Sequence, residues 1–349
     1  MTIPKAQDVL PRHKFDEAAL FRYLTDHLAD FREPARVRQF QGGQSNPTFL
    51  IESADRSFVL RKQPPGQLLA SAHAIDREYR VQAALHDTPV PTIAMRHFCA
   101  DPAVIGTPFY VMDYVPGRIF FNPALPDSTP KERRALYLAM AETLAKLHEV
   151  DFRAIGLADY GRAEGYAARQ VKRWSEQYEA SKTDHIEAMD KLIGWLKANI
   201  PEGDEAAIVH GDYKLNNIMF ELDDAFPIAV LDWELSTLGH PLADLGYLCM
   251  GYRIPHNLPM LGGLSGVDVE ALGIPTEAEM VEAYSTRAGR DAVPDMTFFI
   301  AFSFFRFAAI AQGVYARSMQ GNAADSRAHL AGQAAVLLAE EGWKLVKSA

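Results

Sequence analysis

The sequence predicts an α+β fold, with a small antiparallel-sheet part first and a larger, mainly helical part after it. Three observations lead there. Between residues 37 and 114, short runs of strand-forming residues are separated by polar or proline-rich turns, and one helical segment interrupts them. From residue 129 onward apolar residues recur at helical spacing instead, as in Leu136, Met140, Leu144 and Leu147. Within that later part, residues 207–244 (AIVHGDYKLNNIMFELDDAFPIAVLDWELSTLGHPLAD) hold two short apolar runs of β type, and each gives way to an acidic residue.

Each element has a local reason. Residues 16–31 put Leu20, Tyr23, Leu24, His27 and Leu28 on one face of a helix that Pro34 ends. Val37 to Leu60 reads as two strands around the turn Gly42-Gly43-Gln44-Ser45-Asn46. Its glycines permit close backbone approach and its N–H groups suit a phosphate, although an ordinary hairpin turn has the same composition. The strand SFVLRK, residues 57–62, stops at Pro64-Pro65-Gly66. Alternation places Val59 and Arg61 on one face and Phe58, Leu60 and Lys62 on the other, so only one of the two cations can serve a given site. Residues 70–85 form a helix with Ile75, Tyr79, Val81 and Ala83 inward and Glu78 one turn before Gln82. Strands at 92–100 and 108–114 complete the sheet, and Met112-Asp113-Tyr114-Val115 marks the boundary between domains 1–115 and 116–349.

The helical part begins with residues 129–150, where Pro130 suits the first turn and Ser128 or Thr129 the cap. His148 follows its buried stripe and reads as a structural histidine. Residues 163–182 and 184–198 are two more helices, with Trp174, Tyr178, Leu192 and Trp195 as core or pocket residues. Residues 262–273 form a loop, and the chain is largely helical from residue 277.

Composition narrows the function. A hydrophobic content of 48% supplies a filled core, and a net charge of −10 with pI near 5.6 argues against general binding to nucleic acid or anionic membranes. Cys99 and Cys249 lack metal-ligand spacing and read as buried thiols of a reducing, cytoplasmic setting. The N-terminal residues lack the apolar run of a secretory signal. The most apolar stretch, 298–311, is shorter than the roughly 20 residues a bilayer needs and reads as a buried helix.

The chemistry concentrates in residues 207–244. The first apolar run delivers His210-Gly211-Asp212 and, five residues past that aspartate, Asn217; the second delivers Asp232, twenty residues past Asp212. One carboxylate that orients an acceptor hydroxyl, with an amide oxygen and a second carboxylate for magnesium, is the set a phosphoryl transferase needs. Such an enzyme also needs a strand cation for the α- and β-phosphates and a helix glutamate behind it, which Arg61 or Lys62 and Glu78 supply.

The pattern H-G-D-x-x-x-x-N, followed by a strand ending in D-W-E, resembles the aminoglycoside phosphotransferase family, and most closely the phosphotransferase-like domain associated with acyl-CoA dehydrogenases. The resemblance covers roughly residues 37–315 and implies a two-lobed, protein-kinase-like fold, ATP and magnesium as cofactors, and a small-molecule substrate. It implies Asp212 as catalytic base, Lys214 as a charge stabiliser, and Asn217 and Asp232 as metal ligands. Gly42, Gly43, Ser45 and Asn46 become a nucleotide-covering loop, Arg61 or Lys62 the phosphate cation, and Glu78 its partner. Met112, Asp113 and Tyr114 would line the adenine, largely through backbone groups, and Asp244 would brace the catalytic loop. For the acceptor, the dehydrogenase-associated branch implies a hydroxyacyl-CoA or hydroxy acid, with Arg287, Arg290, Arg306 and Arg317 as candidates to hold an anion. An amino sugar or amino alcohol kinase, a non-catalytic nucleotide-binding module and a magnesium-dependent hydrolase are the alternatives.

Overall fold

The computed structural model describes residues 4–41, 46–64, 74–203, 205–258, 262–319 and 330–348. In chain order the described elements are β1 (Ala6–Gln7), α1 (Glu17–His27), β2 (Arg36–Phe40), β3 (Thr48–Glu52), β4 (Ser57–Lys62), α2 (Ile75–Leu85), β5 (Met95–Cys99) and β6 (Phe109–Asp113). Then come α3 (Pro130–Glu149), α4 (Tyr166–Ser181), α5 (Glu187–Ala198), β7 (Ala207–Val209), β8 (Ile218–Phe220), β9 (Pro227–Val230) and β10 (Thr237–Gly239). Five helices follow, α6 (Leu242–Arg253), α7 (Val269–Leu272), α8 (Glu277–Arg287), α9 (Met296–Met319) and α10 (Leu330–Ser348).

The chain divides into two compact units. The first comprises Met1–Phe121, Arg153–Leu157 and Asn216–Ser236, and its centre is an antiparallel sheet in the order β1-β2-β3-β4-β6-β5. One apolar cluster gathers Leu20, Leu24, Leu28 and Phe31 with Phe49, Phe58, Leu60 and Val111; a second gathers Val59, Ile75, Tyr110, Met112, Met219 and Ala229. The alternation of β4 feeds both, with Phe58 and Leu60 in the first and Val59 in the second. Full burial of an aliphatic side chain such as Leu24 contributes about 2 kcal/mol. Helix α1 starts where the Asp16 carboxylate accepts from the Ala19 N–H at 2.9 Å. It stops at His27, well before Pro34, because Leu28 leaves helical backbone angles and turns its side chain into the first cluster.

The expected lobes, 1–115 and 116–349, differ from these units at residues 116–121, at 153–157 and, most extensively, at 216–236. That segment carries the β8–β9 hairpin, and Arg118 and Phe220 exchange backbone hydrogen bonds of 2.8 and 2.9 Å, which ties the hairpin to the strands before it. Helix α2 starts at Ile75; residues 70–73 lie outside the described residues, as do Pro65 and Gly66. It buries Ile75, Glu78, Val81, Gln82 and Leu85, whereas Ala83, expected inward, is exposed.

The second unit comprises Asn122–Phe152, Ala158–Leu215 and Thr237–Ala349 and is mainly helical, with β7 and β10 as its strand pair. Thr129 caps α3 by accepting from the Glu132 N–H at 3.2 Å. Helix α9 is longer than the apolar run suggested: it has 24 residues, and its most apolar 18-residue window has a mean hydropathy of 1.5, enough by length and composition to cross a bilayer, yet 72% of that window is buried within the protein. Helices α4, α6 and α10 pack along it. At Gly246 of α6 an added Cβ would lie 2.7 Å from the Phe299 backbone, so a side chain there would force the two helices apart. The stretch 262–273, expected as a loop, contains α7, whose Asp268 cap accepts from the Ala271 N–H at 3.0 Å.

Candidate active site

In the sheet unit a largely buried charged cluster forms around Arg61. Arg61 follows Val59 on β4, and its Nε lies 2.9 Å from Glu78 Oε2 while its Nη2 donates to Asp232 Oδ1 at 2.8 Å. Glu234 Oε2 stands 3.9 Å from the same Nη2. Glu78, only 1% exposed, also accepts from Asn46 Nδ2 at 2.7 Å and from the Tyr110 hydroxyl at 3.1 Å. Burial pushes the Glu78 carboxyl up, and the Asp232 charge adds to it; Arg61, Tyr110 and Asn46 oppose without winning. Burial works against the Arg61 cation, but Glu78, Tyr110, Asp232 and Glu234 outweigh it and hold the guanidinium charged. Lys62 falls on the opposite face, buried, with its Nζ 5.7 Å from the Phe15 ring centroid, and burial pulls its ammonium down.

Asp232 adopts φ +65°, a left-handed conformation that costs a non-glycine residue about 1–3 kcal/mol, though aspartate is among the residues that tolerate it best. The Leu231 N–H donates to the Asn217 backbone carbonyl at 2.8 Å, which holds the buried Asn217 beside the strand end that presents Asp232. Among the other expected nucleotide residues, Gly42, Gly43 and Ser45 lie outside the described residues. Met112 is buried among Val59, Ile93 and Met219. The backbone N–H groups of Asp113 and Tyr114 donate to the carbonyls of Ala94 and Ser57 at 3.0 and 3.4 Å, and the Asp113 carboxylate pairs with Arg56 and Arg96. Their N–H groups are thus already engaged within the sheet unit.

In the helical unit, β7 leads into His210-Gly211-Asp212. Gly211 has φ +83°, which explains a glycine between the two polar residues. Asp244, fully buried at the start of α6, accepts from the His210 N–H at 2.6 Å and the Gly211 N–H at 2.8 Å, and His148 Nε2 stands 3.4 Å from it. Burial would push this carboxyl up, but the His148 hydrogen bond, the His148 and His210 charges and the Gly211 N–H outweigh it, so it sits below the ordinary carboxylate value. His148 is thereby structural; its Nδ1 meets the Tyr284 hydroxyl at 2.8 Å. Asp212 is 18% exposed at its side chain, with Oδ1 accepting from the Tyr247 hydroxyl at 2.6 Å and Oδ2 2.9 Å from Lys214 Nζ. Tyr247 was not legible as a site residue, because its helix is apolar all round and only the fold aims the hydroxyl. Of the C-terminal arginines, Arg287 pairs with Glu149 at 2.8 Å and Arg290 pairs with Glu205.

Comparison with known proteins bears on this geometry directly. Residues 36–280 match the phosphotransferase enzyme family, APH. The chain belongs to that family. It is 46% identical over 344 residues to the Rattus norvegicus acyl-CoA dehydrogenase family member 11, covering 97% of this chain and 44% of the relative, so it spans less than half the relative's length. A Ralstonia eutropha crystal structure, provisionally named an aminoglycoside phosphotransferase, is 44% identical with a TM-score of 0.89, over 96% of this chain and 99% of that one. At 14% identity, aminoglycoside phosphotransferase APH(4)-Ia in complex with AMP-PNP and hygromycin B shares the fold alone, with a TM-score of 0.58 over 95% and 98% of the two chains. The fold is therefore kinase-like, and the family is one of phosphotransferase enzymes.

Proposed function

We propose that this phosphotransferase is a magnesium-dependent kinase that transfers the γ-phosphate of ATP to a hydroxyl group, with a hydroxyacyl-CoA or hydroxy acid as acceptor. The observation that carries the reading is the Arg61 bridge: a strand cation backed by the buried Glu78 and reaching Asp232, on the strand face that also presents Val59. ATP is supported by the AMP-PNP held in APH(4)-Ia.

Asp232 and Asn217 offer hard oxygens from adjacent backbone positions, a donor set that suits magnesium when nucleotide phosphates complete the shell. When bound, the ion would neutralise charge on the β- and γ-phosphates. Arg61 would hold the α- and β-phosphates, with Glu78 keeping the guanidinium aimed. The apolar side chains of Val59, Met112 and Met219 provide a bed for adenine. Asp212 would accept the proton of the acceptor hydroxyl as its oxygen bonds to the γ-phosphorus and the bond to the ADP oxygen breaks. Tyr247 holds the orientation of that carboxylate, and Lys214 balances its charge.

Similarity to the acyl-CoA dehydrogenase family member supports an acyl thioester or its hydroxy acid as acceptor. The test is ADP release with magnesium-ATP against hydroxyacyl-CoAs, hydroxy acids, amino sugars and amino alcohols. Acceptor-dependent release with the acyl compounds is expected. Release with an amino sugar or amino alcohol alone overturns the acceptor, and phosphate release independent of every acceptor makes the chain a hydrolase.

A further inference from the structure

Arg306 is the sole charged residue between Asp295 and Arg317, so it interrupts an otherwise apolar helix. Its guanidinium lies 5.4 Å from the Trp174 ring centroid, and its Nε is buried without a hydrogen-bond partner. Among the described residues no carboxylate lies within ion-pair distance of it. Two further arginines stand on helix α4, which also carries Trp174. Arg173 on α4 stands 5.8 Å from the same Trp174 centroid, and Arg169, one turn earlier, has a buried Nη1 with no partner. Neither has a carboxylate partner among the described residues. The contrast is with Arg56, Arg61, Arg96, Arg253, Arg287 and Arg290, each ion-paired in a chain of net charge −10.

Leaving the half-buried Arg306 guanidinium unneutralised, with the Arg173 charge on the same ring, is costly, because like charges repel and a partly desolvated cation loses hydration. An oxyanion supplies what is missing, since guanidinium forks match carboxylate and phosphate oxygens. The cluster also adjoins the chemistry. Burial pushes the phenols of Tyr247 and Tyr166 up, and the Arg306 charge draws both back. Tyr247 is the residue whose hydroxyl donates to Asp212. Its ring stands 5.8 Å from that of Phe307, the residue after Arg306.

We propose that Arg306, supported by Arg173 on the Trp174 face and by Arg169 one turn before it, binds an oxyanion of the acceptor and selects acidic acceptors over neutral ones. This rests on the acceptor reading above and sharpens it to named residues. The oxyanion is a carboxylate in a free hydroxy acid or a phosphate in a thioester of coenzyme A, and the two arms of the test separate them.

ADP release is measured for the parent, Arg306→Met, Arg306→Lys and Arg173→Met with 3-hydroxybutyrate, 3-hydroxybutyryl-CoA and 1,3-butanediol. Arg306→Met is expected to raise the KM of the oxyanion-bearing acceptor about tenfold or more, the scale of a lost charged hydrogen bond. Its kcat and ATP KM should stay near the parent's, Arg306→Lys should fall between, and the diol should not distinguish the variants. Arg173, being exposed, should give a KM change of about threefold without risk to the fold. Parent-like KM values in Arg306→Met, or an equal loss with the diol, overturn the proposal. If no acceptor releases ADP, the acceptor reading fails and equilibrium binding decides the subsite. With saturating ADP, tryptophan fluorescence follows each acid or thioester titrated into parent and Arg306→Met. At least about tenfold tighter binding to the parent sustains the subsite; equal binding, or none, overturns it. Should Arg306→Met not fold, the Arg169→Met/Arg173→Met double variant takes its place under the same criteria.

Discussion

Glu78 in the sheet unit and Asp244 in the helical unit are each 1% exposed, yet their carboxyls are displaced in opposite directions. Asp244 is met by the N–H groups of His210 and Gly211, which the loop backbone fixes and which no other acid shares. Glu78 has the neutral donors Asn46 and Tyr110 and one guanidinium that Asp232 also draws on, and the Asp232 charge pushes its carboxyl further up. Partners that serve Asp244, His148 first and the Gly211 N–H with it, overcome burial; a shared cation does not overcome it at Glu78. The first arrangement suits a loop that must stay put. The second suits a cation that must be free to serve phosphates as well.

The comparison breaks most visibly through stability. Asp244→Asn should cost about 3 kcal/mol at neutral pH, since it leaves a buried backbone donor badly satisfied. The Asp244 carboxyl is held below its unfolded value, so its contribution is fully present above the ordinary carboxylate pKa and is lost as pH falls through the folded value. Urea unfolding of parent and variant should therefore converge in acid. Glu78 carries the opposite sign: its folded carboxyl is raised, so the contribution is present below the ordinary value and lost as pH rises through the folded one. Glu78→Gln should accordingly lose less at neutral pH than in acid. Curves of the same slope for both variants would remove the distinction.

A second test separates chemistry from binding. Asp212→Asn should lower kcat by about 10²-fold or more while nucleotide affinity holds, because the amide keeps the shape and loses the basic oxygen. Parent turnover in the folded variant would end its assignment as base.

The sheet unit answers to a smaller effect. Arg61→Met should weaken nucleotide binding by about tenfold or more, and Lys62→Met by less than about twofold, because Lys62 lies against Phe15. Calorimetric titration with ADP checks this, and the reverse order would mean that the other strand face meets the phosphates.

The smallest change expected is from Tyr247→Phe, which removes one hydrogen bond to Asp212, worth about 1 kcal/mol, and should lower kcat about fivefold with KM unaltered. A KM effect alone would make Tyr247 an acceptor contact and not a positioning residue.

Much of the site was legible before the fold. The spacing of Asp212, Asn217 and Asp232, the strand cation and Glu78 are local patterns, because strand alternation and helical periodicity are properties of consecutive residues. So was the bracing role of Asp244, although only the resemblance suggested it. What remained open was the choice between Arg61 and Lys62. Alternation says that they face apart but not which face meets Glu78, and that depends on α2 and the β8–β9 hairpin packing against the Val59 side and α1 against the other. The same limit hid the occupied N–H groups of Asp113 and Tyr114, since their acceptors lie on strands and turns distant in sequence.

The sequence by itself determined the order of elements, the acidic and amide residues at strand ends, and the family, because each is carried by residue type and spacing within short stretches. Tertiary structure decided which buried groups share partners. It drew residues 216–236 into the sheet unit, buried the long helix α9 among its neighbours, aimed Tyr247 at Asp212 and set Arg306 beside Trp174. Those outcomes depend on which surfaces meet across tens of residues, where the gain from apolar burial outweighs any local preference.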